Sequence, residues 1–459
     1  MVKLKTSLKK KFYHILGKGN FSTDPATCAV YSFDASHLTG ISIGVCFPKN
    51  TEQVADVLSI CNNEGIRVFP RGGGSGRTGG CVPIPPGIVV SFEKMNRILE
   101  ISREDLVARV EPGVITGLFQ KEVEKKGLFY PPDPASLSFC TIGGNVATCA
   151  GGARAVKYGV TRDYVLGMEV VTAKGDVLSL GGRTVKSASG YSLKDLMVGS
   201  EGTLSLFTEI TVKLVPKPRT SGVMVAFFKS AEDAAHAILE IFSAGIVPRT
   251  AEFMDETASR LVFPRGDTDV SEDIGSMLLL ESDGEREFVD SELRRMEEAS
   301  NACGAIYVKV AEPGEEERLW ELRRTLSQRV RGLGYPDKIS EDIVVPRGKI
   351  PEILKRLKKI ERDYRVKIVC FGHAGDGNLH VNVLCDLEKQ QKEADAAIDA
   401  IFRETLNLSG RISGEHGVGL TKAKYLTWEL DSATYNSVKS VKDLFDPKGV
   451  LNPGKVFLT

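Results

Sequence analysis

The sequence predicts an α+β protein, and three stretches carry that prediction. Residues 41–74 read as strand, helix, strand; residues 106–180 repeat strand, turn and helix and end on two further strands; residues 219 to about 410 interleave the two periodicities. The expected organisation is an N-terminal helical segment (1–35), a first domain of two α+β halves (36–218), an α+β second domain (219–410) and a C-terminal segment (411–459). A chain of 459 residues exceeds one ordinary core, in keeping with that division.

Taken in order, the opening MVKLKTSLKKKFYHILG sets Leu4, Leu8 and Phe12 at helical spacing among lysines. No uninterrupted apolar run follows, so this is a helix and neither a signal peptide nor a spanning segment, with docking to a membrane or partner as the lesser alternative. In 41–74, Val45, Cys46 and Phe47 form a strand, Val54, Val57, Leu58 and Cys61 recur at helical spacing, and Ile66, Val68 and Phe69 form the next strand. PRGGGSGRTGG (70–80) then packs six glycines into eleven residues, a loop whose backbone N–H groups can reach phosphate oxygens. It lacks the Walker pattern, and its GxGxxG string has no following helix, so alone it is as well read as a flexible turn. GIVVSF (87–92) is another strand, and LVARVEPGVITGLFQKEVEKKG (106–127) a strand, turn and helix. TIGGNVATCAGG (141–152) offers a second small-residue stretch, VLGMEVVTAKGDVLSL (165–180) reads as a hairpin turning at Lys174–Gly175, and Lys217–Pro218 marks the domain boundary. Beyond it, 230–245, 317–330 and 349–364 are helices, and 274–284, 305–311 and 366–375 strands.

Composition narrows the function. Sixty basic and sixty acidic residues cancel, which removes any net-charge argument for nucleic acid. The nine cysteines are scattered without a Cys-x-x-Cys pair, which argues against a disulfide framework, a zinc ribbon or an iron–sulfur site and for a cytoplasmic setting. Three of the six histidines fall in GHAGDGNLH (372–380) and GEHGVG (414–419). His373, His380 and Glu415 are a donor set suited to a zinc-like cation, and His416 to proton transfer. Ordinary turn residues remain the alternative.

Several of these strings occur together in a recognisable order. PRGGGSGRTGG, YPPDPAS, TIGGNVATCAGG, YGVTRDYVLGMEVVTAKGDVL and GSEGTL resemble the FAD-binding domain of the vanillyl-alcohol oxidase-like flavoproteins. GHAGDGNLH, GEHGVG and FDPKGVLNPGK (445–455) resemble the branch holding glycolate oxidase flavoprotein subunits, D-lactate dehydrogenases and D-2-hydroxyglutarate dehydrogenases. The resemblance runs from about Tyr31 to Lys455. It implies a two-subdomain FAD-binding domain, a substrate (cap) domain and a C-terminal segment that returns to the flavin.

That resemblance also implies roles. Non-covalent FAD lies on Pro70, Arg71, Gly72, Gly73, Gly74, Ser75, Gly76, Thr78 and Gly79 at its pyrophosphate. Pro132, Asp133 and Ala135, then Thr141, Gly143, Gly144, Asn145 and Ala147, follow its ribityl chain and ring edge; Glu201 and Gly202 lie toward the adenine, and Asn452 closes the flavin site. No residue matches a covalent flavin linkage, Cys81 and Cys149 being the nearest candidates. A divalent metal, zinc first, is held by His373, His380 and Glu415, with His416 as the base. Arg323, Ser327 one turn on, Lys338 and Asn378 hold the substrate, while Asp376 shapes the turn. From the residues alone Arg323 belongs to a solvated helix face. The implied reaction converts a short D-2-hydroxy acid, D-lactate or glycolate, to the 2-oxo acid. Alternatives are D-2-hydroxyglutarate as substrate, a flavoprotein subunit active only with its partner, and, more weakly, an oxidase of aromatic or sugar alcohols. Electrons would pass to an iron–sulfur subunit, an electron-transferring flavoprotein, a cytochrome or a quinone, and such a partner would place the protein peripherally at the inner membrane. No transmembrane segment is expected.

Overall fold

In a computed structural model, residues 4–263 and 274–458 are described. Residues 1–3 of the expected N-terminal segment, 264–273 of the expected second domain and Thr459 lie outside them. The chain forms two compact units: Met1–Gly151, Val160–Lys217 and Glu415–Thr459 make the first, Gly152–Gly159 and Pro218–Gly414 the second.

The first unit begins with α1 (Thr6–Leu16) and β1 (Phe21–Ser22), followed by β2 (Ser42–Cys46), α2 (Thr51–Glu64), β3 (Val68–Arg71) and β4 (Gly87–Ser91). Asn50 caps α2 by accepting from the Gln53 N–H, and Gly65 ends it in the left-handed region at φ 65°. The sheet order is β1-β2-β4-β3, so β4 inserts between the two strands of the β-α-β unit and pairs with both in parallel. Leu8, Phe12 and Leu16 of α1 share a core with Val54, Val57 and Leu58 of α2. That burial uses up the apolar stripe that a membrane or partner could otherwise have taken.

A second sheet of this unit contains β5 (Ile98–Ser102), β6 (Val107–Val110), β7 (Val165–Thr172), β8 (Val177–Gly181) and β9 (Ser205–Lys213) in the antiparallel order β5-β6-β9-β7-β8. Helix α3 (Thr116–Glu124) follows β6, and α4 (Ile142–Thr148) is a short helix inside the second small-residue stretch. The expected hairpin is β7–β8, with Val171 opposite Val177 and Gly175 at φ 93° in its turn. The C-terminal stretch joins the first sheet: Leu451 bridges Val68 in parallel, and Val68 and Asn452 exchange backbone bonds with Val450 and Val68.

The second unit carries one seven-stranded sheet. Its elements are β10 (Thr220–Phe228), α5 (Ala231–Ser243), β11 (Thr250–Asp255), β12 (Ser276–Gly284), α6 (Arg286–Ala302), β13 (Ala305–Val310), α7 (Glu315–Arg331), β14 (Asp337–Val344), α8 (Ile350–Tyr364), β15 (Lys367–His373), β16 (Asn378–Cys385) and α9 (Leu387–Asn407). The strand order is β13-β10-β12-β11-β15-β16-β14. On one face, Met254, Met277, Leu279, Val369, Phe371 and Leu384 form a core with Leu326 and Val330 of α7. Arg323 shares that buried stripe, one turn before Leu326, which overturns the solvated reading of its position. Helix α10 (Ser432–Phe445), in the first unit, has no buried residue.

Candidate active site

In the second unit the sheet register assembles the polar groups. Antiparallel pairing sets Phe371 opposite His380 and His373 opposite Asn378 across β15 and β16, and Asp342 opposite His380 across β14 and β16. On the other side of β15, Phe253 of β11 pairs with Gly372, so the same register continued by one residue brings Glu252 beside His373. Since side chains alternate between sheet faces, these positions present their groups to one face. The His373 and His380 rings lie with centroids 5.1 Å apart at 85°.

Two buried carboxylates, neither singled out from the sequence, organise those histidines. Glu252 meets His373 Nδ1 through Oε1 at 2.5 Å and accepts from Arg323 Nε through Oε2 at 2.6 Å. The Arg323 guanidinium also stacks over the Phe371 ring at 5.1 Å. Burial opposes the Glu252 charge, but the Arg323 guanidinium and the hydrogen bonds from Arg323 and His373 outweigh it and hold the carboxyl below the usual carboxylate range. Asp342, fully buried, accepts from Asn378 Nδ2 at 2.6 Å, Ser413 Oγ at 3.1 Å and the Gly414 N–H at 2.8 Å, with His380 Nδ1 at 3.8 Å. Lys338 donates to Ser327 Oγ at 2.7 Å and to its carbonyl at 2.8 Å, so these two expected substrate residues stand together. Asp376 accepts from the Asn378 N–H at 3.2 Å, a turn-forming bond. The sequence signal for Glu252 was an acid between Ala251 and Phe253–Met254, a placement that needs buried partners, whereas Asp342 lies in the mixed-polarity strand DKISEDIV and offered none.

In the first unit the groups are carried by loops. The first Gly-rich loop leaves β3 at Pro70 and Arg71 and lies against the second small-residue stretch: a Cβ on Gly72 would strike Thr141 Oγ1, and one on Gly73 the Phe139 carbonyl. Gly74 and Gly79 have φ of 66° and 76°. Arg71 donates to the Phe33 carbonyl at 2.5 Å and contacts Cys81 Sγ at 3.3 Å, so its side chain braces the loop. Among the described residues, no protein acceptor takes the N–H groups of Gly72, Gly73, Gly74, Ser75 or Gly76. A run of backbone donors without protein acceptors fits a phosphate-bearing cofactor.

Other expected cofactor positions have structural duties that can be stated. Gln120 holds the Pro132 carbonyl at 2.8 Å, Asp133 is partly buried and Ala135 exposed. Thr141 caps α4 by accepting from the Gly144 N–H at 3.2 Å; Gly143 is pressed on Pro112, and buried Asn145 donates to Thr116 Oγ1 at 2.8 Å. The Ala147 carbonyl accepts from the Glu201 N–H at 2.8 Å, and Gly202 packs against the Pro70 ring. Cys81 and Cys149 are free thiols.

Glu201 has a role the sequence did not reveal: its buried carboxylate accepts from the Val418 and Gly419 N–H groups at 2.7 and 2.9 Å, clamping the end of GEHGVG. Burial drives its pKa up to about 7 against the pull of those amides and of Lys422 and Lys455. Thr78 holds the same stretch, donating to the His416 carbonyl at 3.2 Å and accepting from Leu420 N–H at 2.7 Å. Asn452, at φ 43°, donates to the Gly80 and Glu201 carbonyls at 2.8 and 2.6 Å. His416 Nε2 lies 4.0 Å from the adjacent Glu415 carboxylate, and Glu415 Oε2 approaches Gly151 closely enough that a Cβ there would sit at 3.1 Å. Among the described residues no helix is long and apolar enough to cross a membrane.

Comparison with known proteins shows the family. Residues 43–181 match the FAD binding domain family, and residues 217–456 the family described as FAD linked oxidases, C-terminal domain. The chain is 40% identical to glycolate oxidase subunit GlcD of Bacillus subtilis (strain 168), over 98% of this chain and 96% of that one. It is 38% identical to D-lactate dehydrogenase of Anaerostipes hadrus (89% and 88% covered) and 34% identical to D-2-hydroxyglutarate dehydrogenase of Stutzerimonas stutzeri (96% and 96%). The fold is shared with p-cresol methylhydroxylase, at TM-score 0.83 and 18% identity over 99% of this chain and 98% of that one, which is the vanillyl-alcohol oxidase-type architecture. The chain belongs to the FAD-linked oxidases and is an oxidoreductase of the glycolate oxidase, D-lactate dehydrogenase and D-2-hydroxyglutarate dehydrogenase type.

Proposed function

We propose that this protein oxidises a short D-2-hydroxy acid, D-lactate or glycolate, to the corresponding 2-oxo acid. The observation that carries the reading is the grouping, on one sheet face and its covering helix, of two histidines with Arg323 and Lys338, groups suited to a chelating, anionic substrate. Arg323 and Lys338 bind the carboxylate, with Ser327 and Asn378 completing the polar wall and fixing which C–H is presented. FAD, bound without a covalent link on the Gly-rich loops, supplies the acceptor for the electron pair that leaves Cα.

His373, His380 and Glu415 hold a divalent cation, zinc first, whose contribution is to lower the pKa of the substrate hydroxyl. The donor chemistry fits: the Glu252 carboxylate at His373 Nδ1 selects the tautomer that leaves the Nε2 lone pair for a metal. His416 takes the hydroxyl proton, as a neutral imidazole can near neutral pH.

The deciding experiment is anaerobic flavin bleaching across D- and L-lactate, glycolate and D- and L-2-hydroxyglutarate. Bleaching by the short D-acids is expected; bleaching by hydroxyglutarate alone reassigns the substrate, and none at all refutes the reading. Removal of metal by a chelator should abolish turnover until zinc is restored, and full turnover without metal removes the cation from the scheme. A second reading is favoured by the word "subunit" in the name of the Bacillus subtilis relative: the protein passes electrons onward only within a complex, through an iron–sulfur subunit, an electron-transferring flavoprotein, a cytochrome or a quinone. Stoichiometric co-purification of a partner, with turnover that depends on it, distinguishes that case.

A further inference from the structure

The position of Glu252 is costly in isolation, because its side chain is fully enclosed within the second unit. Its two oxygens are divided: Oε1 faces His373 Nδ1 at 2.5 Å, and Oε2 takes Arg323 Nε at 2.6 Å together with Nη2. We propose that Glu252 is a positioning residue that sets the tautomer and ring orientation of His373 and the pose of Arg323 with one carboxylate, so that the metal ligand and the substrate-carboxylate ligand are held as a unit.

Three features of the fold support this. The β11–β15 register puts Glu252 at the level of His373, the α7 packing stripe puts Arg323 above the same strand, and the Phe371 ring supports the guanidinium from beneath. A carboxylate accepting from Nδ1–H keeps the proton there, and makes Nε2 both available and more basic. With its Nε edge committed to Glu252, Arg323 keeps N–H groups on its other edge for an anion, in an orientation it no longer has to search for. Removing the carboxylate therefore frees a histidine to take the other tautomer and leaves a buried guanidinium without its counter-charge.

The inference rests on the metal reading above, and the test separates the two. Zinc affinity of the FAD-loaded full chain, stripped of metal, is measured by competition with a chromophoric chelator in the wild type, Glu252→Gln, Glu252→Asp and the double variant Glu252→Gln/Arg323→Met. If the wild type takes up no stoichiometric zinc, the metal reading fails and Glu252 has nothing to position. If it does, Glu252→Gln should weaken zinc binding by about 10–100-fold. The double variant removes the unpaired guanidinium and so separates misfolding from mispositioning. It should keep the wild-type thermal transition and the weakened zinc affinity, and Glu252→Asp should recover part of the affinity. Wild-type zinc affinity in Glu252→Gln or in a folded double variant overturns the proposal.

Discussion

In the second unit the candidate chemistry sits on side chains of neighbouring strands, where Glu252, His373, His380 and Asp342 are placed by antiparallel register and held by one another. In the first unit it sits on backbone, where the loop after β3 and the GEHGVG stretch are held by close glycine contacts and by Thr78, Glu201 and Asn452. A sheet positions side chains through pairings distant in sequence, so its supporting residues can be of any type that the pairing brings near. A loop that offers N–H groups needs glycine at particular positions, and that requirement is written into a continuous string.

Five substitutions probe this contrast. The largest expected effect is on the proposed loop-borne base: His416→Ala should slow flavin reduction by about 10²–10⁴-fold, read in anaerobic stopped flow, while leaving FAD bound. An unchanged rate removes His416 as the base. Next is the sheet side, where Asp342→Asn replaces one acceptor oxygen by an amide N–H₂ group, set against either the Asn378 donor or the Ser413 and Gly414 donors. Denaturant unfolding should show a loss of about 1–3 kcal/mol, since buried donors lose their acceptor, and no loss means that those bonds contribute nothing net.

The loop packing is tested by a pair. Gly73→Ala drives a methyl group into the Phe139 carbonyl and should cost roughly 1–3 kcal/mol along with FAD content. Gly144→Ala meets only Thr141 Oγ1 at 3.3 Å, so it should leave the apoprotein's stability nearly unchanged and lower FAD retention alone. Equal effects of the two on stability would mean that loop packing does not separate them. The smallest effect is electrostatic. The folded Glu201 carboxyl is raised from 4.5 to about 7, so the folded state binds the proton more tightly than the unfolded chain. Its contribution to stability is therefore present below about 4.5 and lost as pH rises through about 7. Glu201→Gln should gain on the wild type across that interval, as followed by thermal unfolding, and a pH-independent difference would show that Glu201 does not titrate there.

What could be read beforehand follows the same division. The α+β fold, the β7–β8 hairpin and helices α1, α2, α5, α7 and α8 were legible because periodicity and turn residues are local. The family, too, was legible through strings such as PRGGGSGRTGG and GHAGDGNLH, now matched by 43–181 and 217–456. Arg323 looked solvated because its neighbours on α7 are charged, and only the packing of Leu326 and Val330 on the sheet shows that its stripe faces inward. Glu252 and Asp342 carried no motif at all, since what defines each is a partner 71 to 121 residues away for the first and 36 to 72 for the second.

The sequence by itself determined the elements, the glycine-dependent loops and the kind of oxidoreductase, because each depends on residue types at short spacing. Only the tertiary structure decided that β4 enters between β2 and β3, that α1 buries its apolar face, that Glu201 clamps Val418 and Gly419, and that Glu252 serves His373 and Arg323 together. Those outcomes depend on strand order and register, which bring together groups far apart in the chain, and a buried charge shows its purpose only beside the partners that such pairing supplies.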